Sequence, residues 1–185
     1  LHLCDQHLEH IKHDIITRHN LLVDVCLAAL HEGQSISVDH PRYHTHSSGS
    51  TMCTVLARSF ADIGDIIRGK DLYLGNKKYN ETEREKEKLQ RNLKYIFKKI
   101  YDKLSDPKAK EYYNDDTENY YQLREDWWTV NRATVWKAIT CNAGSGNNYF
   151  RRTACAGTRP TQGRCRCAAN IDPPTYFDYV PQYLR

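Results

Sequence analysis

The sequence contains no long apolar run. Hydrophobic residues make up 39% of its 185 residues, and the mean hydropathy is -0.77. Nothing approaches the 18 or so consecutive apolar residues of a membrane-spanning helix, so we predict none. The first residues, beginning Leu1-His-Leu-Cys, lack the basic and apolar regions of a signal peptide. We therefore expect an excised module of a longer protein, with its targeting signal encoded elsewhere.

The sequence also lacks the short motifs that mark common active sites. It contains no nucleophile elbow, P-loop, dinucleotide fingerprint or HExxH helix. Cys26 and His31 form a close pair of cysteine and histidine. Five residues along a helix is the wrong spacing for a hydrogen bond between them. We therefore expect no enzyme, no catalytic residue and no cofactor.

Histidine is abundant but confined to one end of the chain. All nine histidines precede residue 47. His7 and His10 could share a helix face with Asp14, and His44 and His46 flank a threonine. No further acidic or cysteine ligand completes a tetrahedral set. Solvated polar positions are the favoured interpretation, and we predict no metal site.

Seven cysteines are many for a reduced cytosolic protein, and none forms a CxxC pair. We interpret them as a disulfide framework formed in an oxidising, extracellular setting. An odd number leaves one thiol free or paired outside this chain. The alternative is structural zinc at the last four, but their intervals are irregular and a Cys-Arg-Cys pair chelates poorly. The seven are Cys4, Cys26, Cys53, Cys141, Cys155, Cys165 and Cys167.

Two cysteine-anchored blocks predict core helices. In the first, residues 53–69, apolar residues recur at spacings of three or four on the same stripe as the cysteine. These residues are Cys53, Leu56, Phe60, Ile63 and Ile67. In the second, residues 124–141, apolar residues lead up to the cysteine; they are Trp128, Val135, Trp136, Ile139 and Cys141. Two core helices that each carry a cysteine at the packing face are natural ends for one cross-link.

The rest of the chain also predicts helices. A stripe runs from Cys4 to Ile15, and a run over residues 20–32 closes at Gly33, a typical C-terminal stop. Residues 34–50 are polar and contain Pro41, so we expect a surface loop. Residues 81–105 give the clearest amphipathic helix, and Asp106-Pro107 starts another over residues 108–114. With no strand alternation, we predict an all-α, disulfide-stapled helical bundle with long loops.

The helix over residues 81–105 has two faces. We expect Leu89, Leu93, Ile96, Ile100 and Leu104 to be buried. The basic residues on the other side are Arg84, Lys88, Arg91, Lys94 and Lys98. Three of them are seven residues apart and form a stripe about 20 Å long, which could follow a sulfated polysaccharide. The alternative is an ordinary solvated face, since glutamates interrupt the basic residues.

Other charged and aromatic residues allow similar alternatives. A second basic cluster lies among the last cysteines; its members are Arg151, Arg152, Arg159, Arg164 and Arg166. Trp127, Trp128 and Trp136 could form a sugar platform, although helical spacing more often means core. The net charge of +4 is a mild excess that does not predict nucleic-acid binding.

The two cysteine-anchored blocks and residues 173–185 closely resemble the alpha class of Duffy-binding-like domains. These domains stand at the head of the variant surface adhesins of falciparum malaria parasites. The resemblance implies a helical fold of three subdomains. Residues 1–50 would end the first, residues 51–148 would form the second and residues 149–185 would begin the third. It also implies a disulfide between Cys53 and Cys141.

The function implied by this resemblance is adhesion. The chain would be an extracellular module on the infected erythrocyte, part of a larger membrane-anchored protein that varies antigenically and meets antibodies. It would bind a host-cell receptor or a sulfated or blood-group glycan, including heparin, in cytoadherence or rosetting. The alternative is a structural or immune-decoy module that supports a neighbouring binding domain. We expect no nucleic-acid partner and no direct membrane insertion by this part of the protein.

Overall fold

Helices dominate the chain, as its periodicity predicts. The computed structural model describes residues 18–43, 51–71, 82–168 and 172–185. The α-helices are α1 (Arg18–Tyr43), α2 (Met52–Arg68), α3 (Thr82–Asp102), α4 (Pro107–Tyr112) and α5 (Tyr121–Ile139). Two short 3₁₀ helices follow, η1 (Phe177–Tyr179) and η2 (Gln182–Leu184). Over these residues there is no strand beyond one isolated bridge between Cys155 and Arg159. The all-α class is confirmed.

Some sequence predictions fall outside the described residues. They are the helical stripe from Cys4 to Ile15, with its histidines, and the His44 and His46 pair. The division into subdomains at residues 50 and 148 stays a prediction.

Helix α5 lies at the centre of the core, where it packs against α1, α2 and α3. Phe60 of α2 packs against Trp128 at a centroid distance of 5.1 Å and edge-on against Trp136 at 5.2 Å. All three rings are buried. The spacing of three and four in both sequences places these rings on one face of each helix. The core interpretation of the tryptophans is therefore confirmed.

Helix α1 is longer than predicted, because Gly33 does not end it. A Cβ atom at Gly33 would lie 1.8 Å from the carbonyl oxygen of Ile139 in α5. Glycine is needed here because the two helices approach closely, so its presence marks a packing contact instead of a helix stop. The predicted loop over residues 34–50 is thus wrong for residues 34–43. Pro41 lies in the last turn of the helix.

Helix α1 also contains the one stretch, among the residues described, that is long and apolar enough to cross a membrane. This segment, Asn20–Val38, has a mean hydropathy of 1.3. A core helix of a soluble domain satisfies the same criterion. Leu21, Val25 and Ala29 are fully buried in the common core with α2 and α5. One face of α1 thus packs in the core, while Val23, Leu27 and Val38 are exposed on the other side.

Helix α3 presents the faces that the sequence predicts. Leu89, Leu93, Ile96 and Ile100 are buried, and the helix packs on α5 through an edge-on contact of Phe97 with Trp127. Leu104 is only half-buried because the helix ends at Asp102. The next helix, α4, begins as predicted, with the Asp106 carboxylate accepting a hydrogen bond from the amide of Lys108 at 2.9 Å.

The predicted disulfide between Cys53 and Cys141 is wrong. Cys53 is bonded to Cys165, and Cys155 is bonded to Cys167. Helix α5 ends at Ile139, and a residue two positions further would lie about 200° around the helix axis, away from the apolar stripe. Cys141 is accordingly exposed, with a free thiol.

The position of Cys165 is fixed by hydrogen bonds of its own backbone. Its carbonyl accepts from the indole of Trp136 at 3.1 Å, and its amide donates to Asn147 at 3.0 Å. Both contacts hold it over the core, beside Cys53 in α2. Four of the seven cysteines thus form disulfides. Cys26 is a free, half-buried thiol, and Cys4 lies outside the described residues.

A buried ion pair attaches the C-terminal segment to the bundle. Arg132 of α5 donates two hydrogen bonds of 2.8 Å to the two carboxylate oxygens of Asp178 in η1. The indole of Trp128 donates a third at 2.9 Å. Burial opposes the charge of Arg132, but the hydrogen bonds and charge of Asp178 raise its pKa. Asp178 is 1% exposed, and its carboxylate accepts two hydrogen bonds from the cationic guanidinium and one from the neutral indole.

A second buried arginine extends this network to α2. Arg68 donates to Asp65 at 2.9 Å, to Glu125 of α5 at 3.1 Å and to the backbone carbonyl of Asp178. Arg185 pairs with the other oxygen of Asp65. Acidic residues of two helices and the C-terminal segment thus compensate two buried guanidinium groups.

We expect the variant Asp178→Asn to lose about 3–5 kcal/mol of stability, because the guanidinium of Arg132 would stay buried without its counter-charge. Chemical denaturation of the purified domain measures the loss. Asp172→Asn removes an exposed carboxylate from the same segment and should change stability by less than about 0.5 kcal/mol. Equal stability of the two variants would contradict a structural role for the buried pair.

We also expect peptide mapping without reductant to find Cys53 joined to Cys165 and Cys155 joined to Cys167. The first bond closes a loop with a sequence separation of 112, so replacing both of its cysteines by serine should cost about 4–5 kcal/mol in the chain-entropy model. Cys141→Ser is the matched control and should leave stability unchanged. A peptide linking Cys53 to Cys141 would refute the pairing.

Candidate functional site

The exposed face of α3 carries a row of basic side chains. We call Arg84, Lys88, Arg91, Lys94 and Lys98 the α3 ridge. The opposite face of the helix is buried against α5, so the basic positions are turned to solvent. Lys88 and Lys94 are exposed, and the side chains of Arg91 and Lys98 are 68% and 45% exposed. The side chain of Arg84 lies outside the described part of the chain.

Acidic neighbours neutralise part of the ridge. Lys98 donates to Glu118 at 2.7 Å, and this hydrogen bond and the charge of Glu118 raise the pKa of Lys98. Arg91 lies 3.7 Å from Glu87, one turn away on the same helix. Surface pairs of this kind contribute little and exchange readily with solvent or another anion. Within the described residues, Lys88 and Lys94 have no ion-pair partner.

A cavity adjoins the middle of the ridge. Its volume is about 280 Å³, and it lies where α3 meets the end of α2 and the start of α5. The residues that line it are Gly69, Asp71, Glu87, Gln90, Arg91, Lys94, Asn119, Tyr121 and Arg124. Sequence reasoning found the ridge but not the cavity, because three separate segments of the chain form its wall. No local motif signals such a junction.

Arg124 forms the inner wall of the cavity and also caps α2. Its Nη2 donates to the carbonyl of Ile66 at 3.0 Å and to the amide oxygen of Gln90 at 2.9 Å, and its Nε donates to the carbonyl of Ile67. The backbone carbonyls of Ile66 and Ile67 belong to the last turn of α2, where the helix dipole attracts a cation. Burial nevertheless lowers the pKa of Arg124 to about 10. The guanidinium is charged at neutral pH but poorly compensated.

The geometry at Gly69 leaves room beside this arginine. Gly69 ends α2 in the left-handed conformation, with φ of 72°, which favours glycine. A Cβ atom there would lie 2.9 Å from Nη1 of Arg124. Any larger residue would therefore crowd the guanidinium as well as strain the backbone.

The second basic cluster does not face solvent as a whole, because one of its five arginines is hydrogen-bonded within the protein. Arg151, Arg152, Arg159 and Arg164 are exposed. Arg166 instead donates to the hydroxyl of Thr140 at 2.7 Å and to the carbonyl of Lys137 at 2.6 Å. Those bonds join the segment around the disulfides to the end of α5. Arg166 has a structural role.

The aromatic residues that face solvent differ from those considered in the sequence. All three tryptophans are buried in the core. The rings that remain exposed belong to Tyr95, Tyr112, Tyr121, Phe150, Tyr176, Tyr179 and Tyr183. Of these, Tyr121 lines the cavity beside the ridge. Tyr95, which lies on α3 between Lys94 and Lys98, is a second exposed ring next to the basic residues.

Comparison with known proteins places this architecture in a family. The sequence profile of the Duffy binding domain matches residues 1–185. A crystal structure of the NTS-DBL1(alpha-1) domain of the Plasmodium falciparum membrane protein 1 (PfEMP1) of the varO strain is 44% identical, with a TM-score of 0.78. A double-domain structure from the same strain, NTS-DBL1-alpha with CIDR-gamma, is 43% identical, with a TM-score of 0.76.

A third similar structure is a PfEMP1 DBLbeta domain bound to ICAM-1, at 32% identity and a TM-score of 0.69. Each match covers 99% of this chain, but the chain spans only 40%, 25% and 40% of the three structures. No curated protein matches the sequence. The family profile over the whole chain and the 44% identity agree with the motifs around Cys53 and Trp128 and with the observed helical fold. The chain belongs to the Duffy binding domain family, and it is similar to the Duffy-binding-like domains of PfEMP1 from Plasmodium falciparum.

Proposed function

We propose that this domain is an extracellular adhesion module that binds the anionic surface of a host cell through the α3 ridge. Domains of this family are adhesion modules, and a DBLbeta relative is bound to the host receptor ICAM-1. The observation that carries the proposal for this chain is the row of exposed cations on α3, two of which have no described partner. The ligand we propose is a sulfated or otherwise anionic glycan.

The ridge has the geometry of a linear polyanion site. Ten residues separate Lys88 from Lys98, which corresponds to about 15 Å along a helix. A straight row of charges lets one extended anionic chain contact several residues at once. Surface pairs such as that of Lys98 with Glu118 can be exchanged for glycan contacts at little cost. The resulting attraction is long-range and sensitive to salt.

The proposal places the domain on the infected erythrocyte, as part of a larger membrane-anchored protein exposed to antibodies. Binding a cell-surface glycan there would support cytoadherence or rosetting. A decoy module without intrinsic binding has the same fold and the same location. The ridge distinguishes the two, because only the adhesin requires its charges.

We expect charge reversal at two ridge residues outside the cavity, Lys88→Glu with Lys98→Glu, to weaken heparin binding roughly tenfold at physiological salt. The lost affinity should be the salt-sensitive part, measured by heparin chromatography and by titration across ionic strength. Both side chains face away from the core, and Lys98 loses only a surface pair with Glu118, so helicity should be kept and the melting temperature should change little.

The matched control reverses two exposed lysines that lie outside the ridge, Lys108→Glu with Lys137→Glu. It changes the net charge by the same amount and should retain most of the heparin affinity. Equal losses in both double variants would reduce the effect to net charge. Unchanged binding in the folded ridge variant would leave α3 with an ordinary solvated face and favour the decoy.

A further inference from the structure

The guanidinium of Arg124 uses two of its three nitrogen atoms, Nε and Nη2, in hydrogen bonds with the described residues. The guanidinium has five N–H groups, and those on Nε and Nη2 are directed at Ile66, Ile67 and Gln90. Among the described residues, none accepts from Nη1. This atom lies beside Gly69, which lines the cavity together with Arg124. A residue only 1% exposed thus presents an unused donor at the cavity wall.

The charges around the cavity are also unbalanced. Two carboxylates line it, but Glu87 lies 3.7 Å from Arg91 and Asp71 lies 3.6 Å from Lys86. Lys94 and Arg124 also line the cavity, and no carboxylate of the described residues pairs with either. An anion held between them would gain charge-assisted hydrogen bonds from a guanidinium that is already removed from water.

The size and lining of the cavity favour one sugar ring. A volume of about 280 Å³ is at the lower end of the range for small-molecule sites. The ring of Tyr121, which is half-exposed, offers an apolar face. Asn119 adds an amide whose nitrogen donates to the hydroxyl of Thr117, whereas the amide of Gln90 is engaged by Arg124 and by the carbonyl of Ile66. An apolar ring face with a few convergent polar groups suits a ligand that has both C–H and hydroxyl surfaces.

We propose that this cavity binds a single acidic monosaccharide unit, whose oxyanion is held by Arg124 and Lys94 and whose ring packs on Tyr121. The inference rests on the proposed function and deepens it, since it names the unit of an anionic glycan that is recognised at short range. The other residues of the α3 ridge attract the glycan chain electrostatically at longer range. The oxyanion is a carboxylate or a sulfate, which offer the guanidinium the same acceptor oxygens.

The test uses the full 185-residue chain and three soluble probes: methyl glucuronide, glucose 6-sulfate and the uncharged methyl glucoside. Chemical-shift titration reports binding and its location. We expect an acidic probe to shift the resonances of Tyr121 and Arg124, and methyl glucoside to bind at least roughly tenfold more weakly, because it lacks the anionic acceptor. Preference for the first or the second probe assigns the group as carboxylate or sulfate.

Lys94→Gln and Tyr121→Ala change exposed side chains and should each weaken the acidic probe severalfold without changing the melting temperature. Lys103→Gln is the matched control, since this exposed lysine lies outside both the α3 ridge and the cavity, and it should bind the probe normally. Arg124→Lys keeps the charge but removes Nη1; because Arg124 also caps α2, its result counts only if the variant melts like the wild type.

Absence of saturable binding by either acidic probe would overturn the proposal, as would equal binding by the wild type, Lys94→Gln and Tyr121→Ala. Neither result depends on heparin retention by the Lys88→Glu, Lys98→Glu variant. A domain that binds heparin through the ridge but ignores the acidic probes would keep the proposed function and lose the cavity site. If heparin binding did not depend on the ridge but the acidic probes still bound, the cavity site would stand and the proposed role of the ridge would fail.

Discussion

The pairing of Arg132 with Asp178 is the interaction on which the arrangement of this domain depends. It joins the middle of α5 to a segment that is 46 residues further along the chain, and both partners are buried. Leaving either charge alone in the core is costly, so η1 must dock whenever α5 folds against α2. Arg68 strengthens this constraint by binding α5 and η1 simultaneously. The segment around η1 is therefore anchored to the core through Asp178.

The sequence shows which residues form the buried apolar face of a helix, but it does not show which charged residues pair with each other in the fold. The helices α2, α3 and α5 could be predicted because apolar spacings of three and four report the buried face directly. The exposure of Arg91 and the burial of Leu93 follow from the same periodicity. Asp178 could not be recognised in this way, because its partners are distant in the chain. A lone aspartate beside aromatic residues carries no local signal of a buried ion pair.

The failed predictions have a common physical cause. Position along a single helix predicts a stop at Gly33 and a core-facing Cys141, and the family resemblance adds the pairing of Cys141 with Cys53. The carbonyl of Ile139 decides the role of the glycine, and the hydrogen bonds of Cys165 decide the disulfide. Both are contacts between segments. The cavity beside α3 escaped prediction for the same reason, since its wall combines α2, α3 and α5.

Arg124 connects the stability of the fold to the proposed adhesion. Its Nε and Nη2 hold the end of α2, and Nη1 borders the cavity. Burial lowers its pKa to about 10, which means that its charge is held at some cost to the folded state. An oxyanion beside Nη1 would compensate that charge, raise the pKa and stabilise the folded domain by mass action. The same buried cation can thus terminate a helix in the free domain and supply the short-range contact that a row of exposed lysines, screened by salt, does not provide.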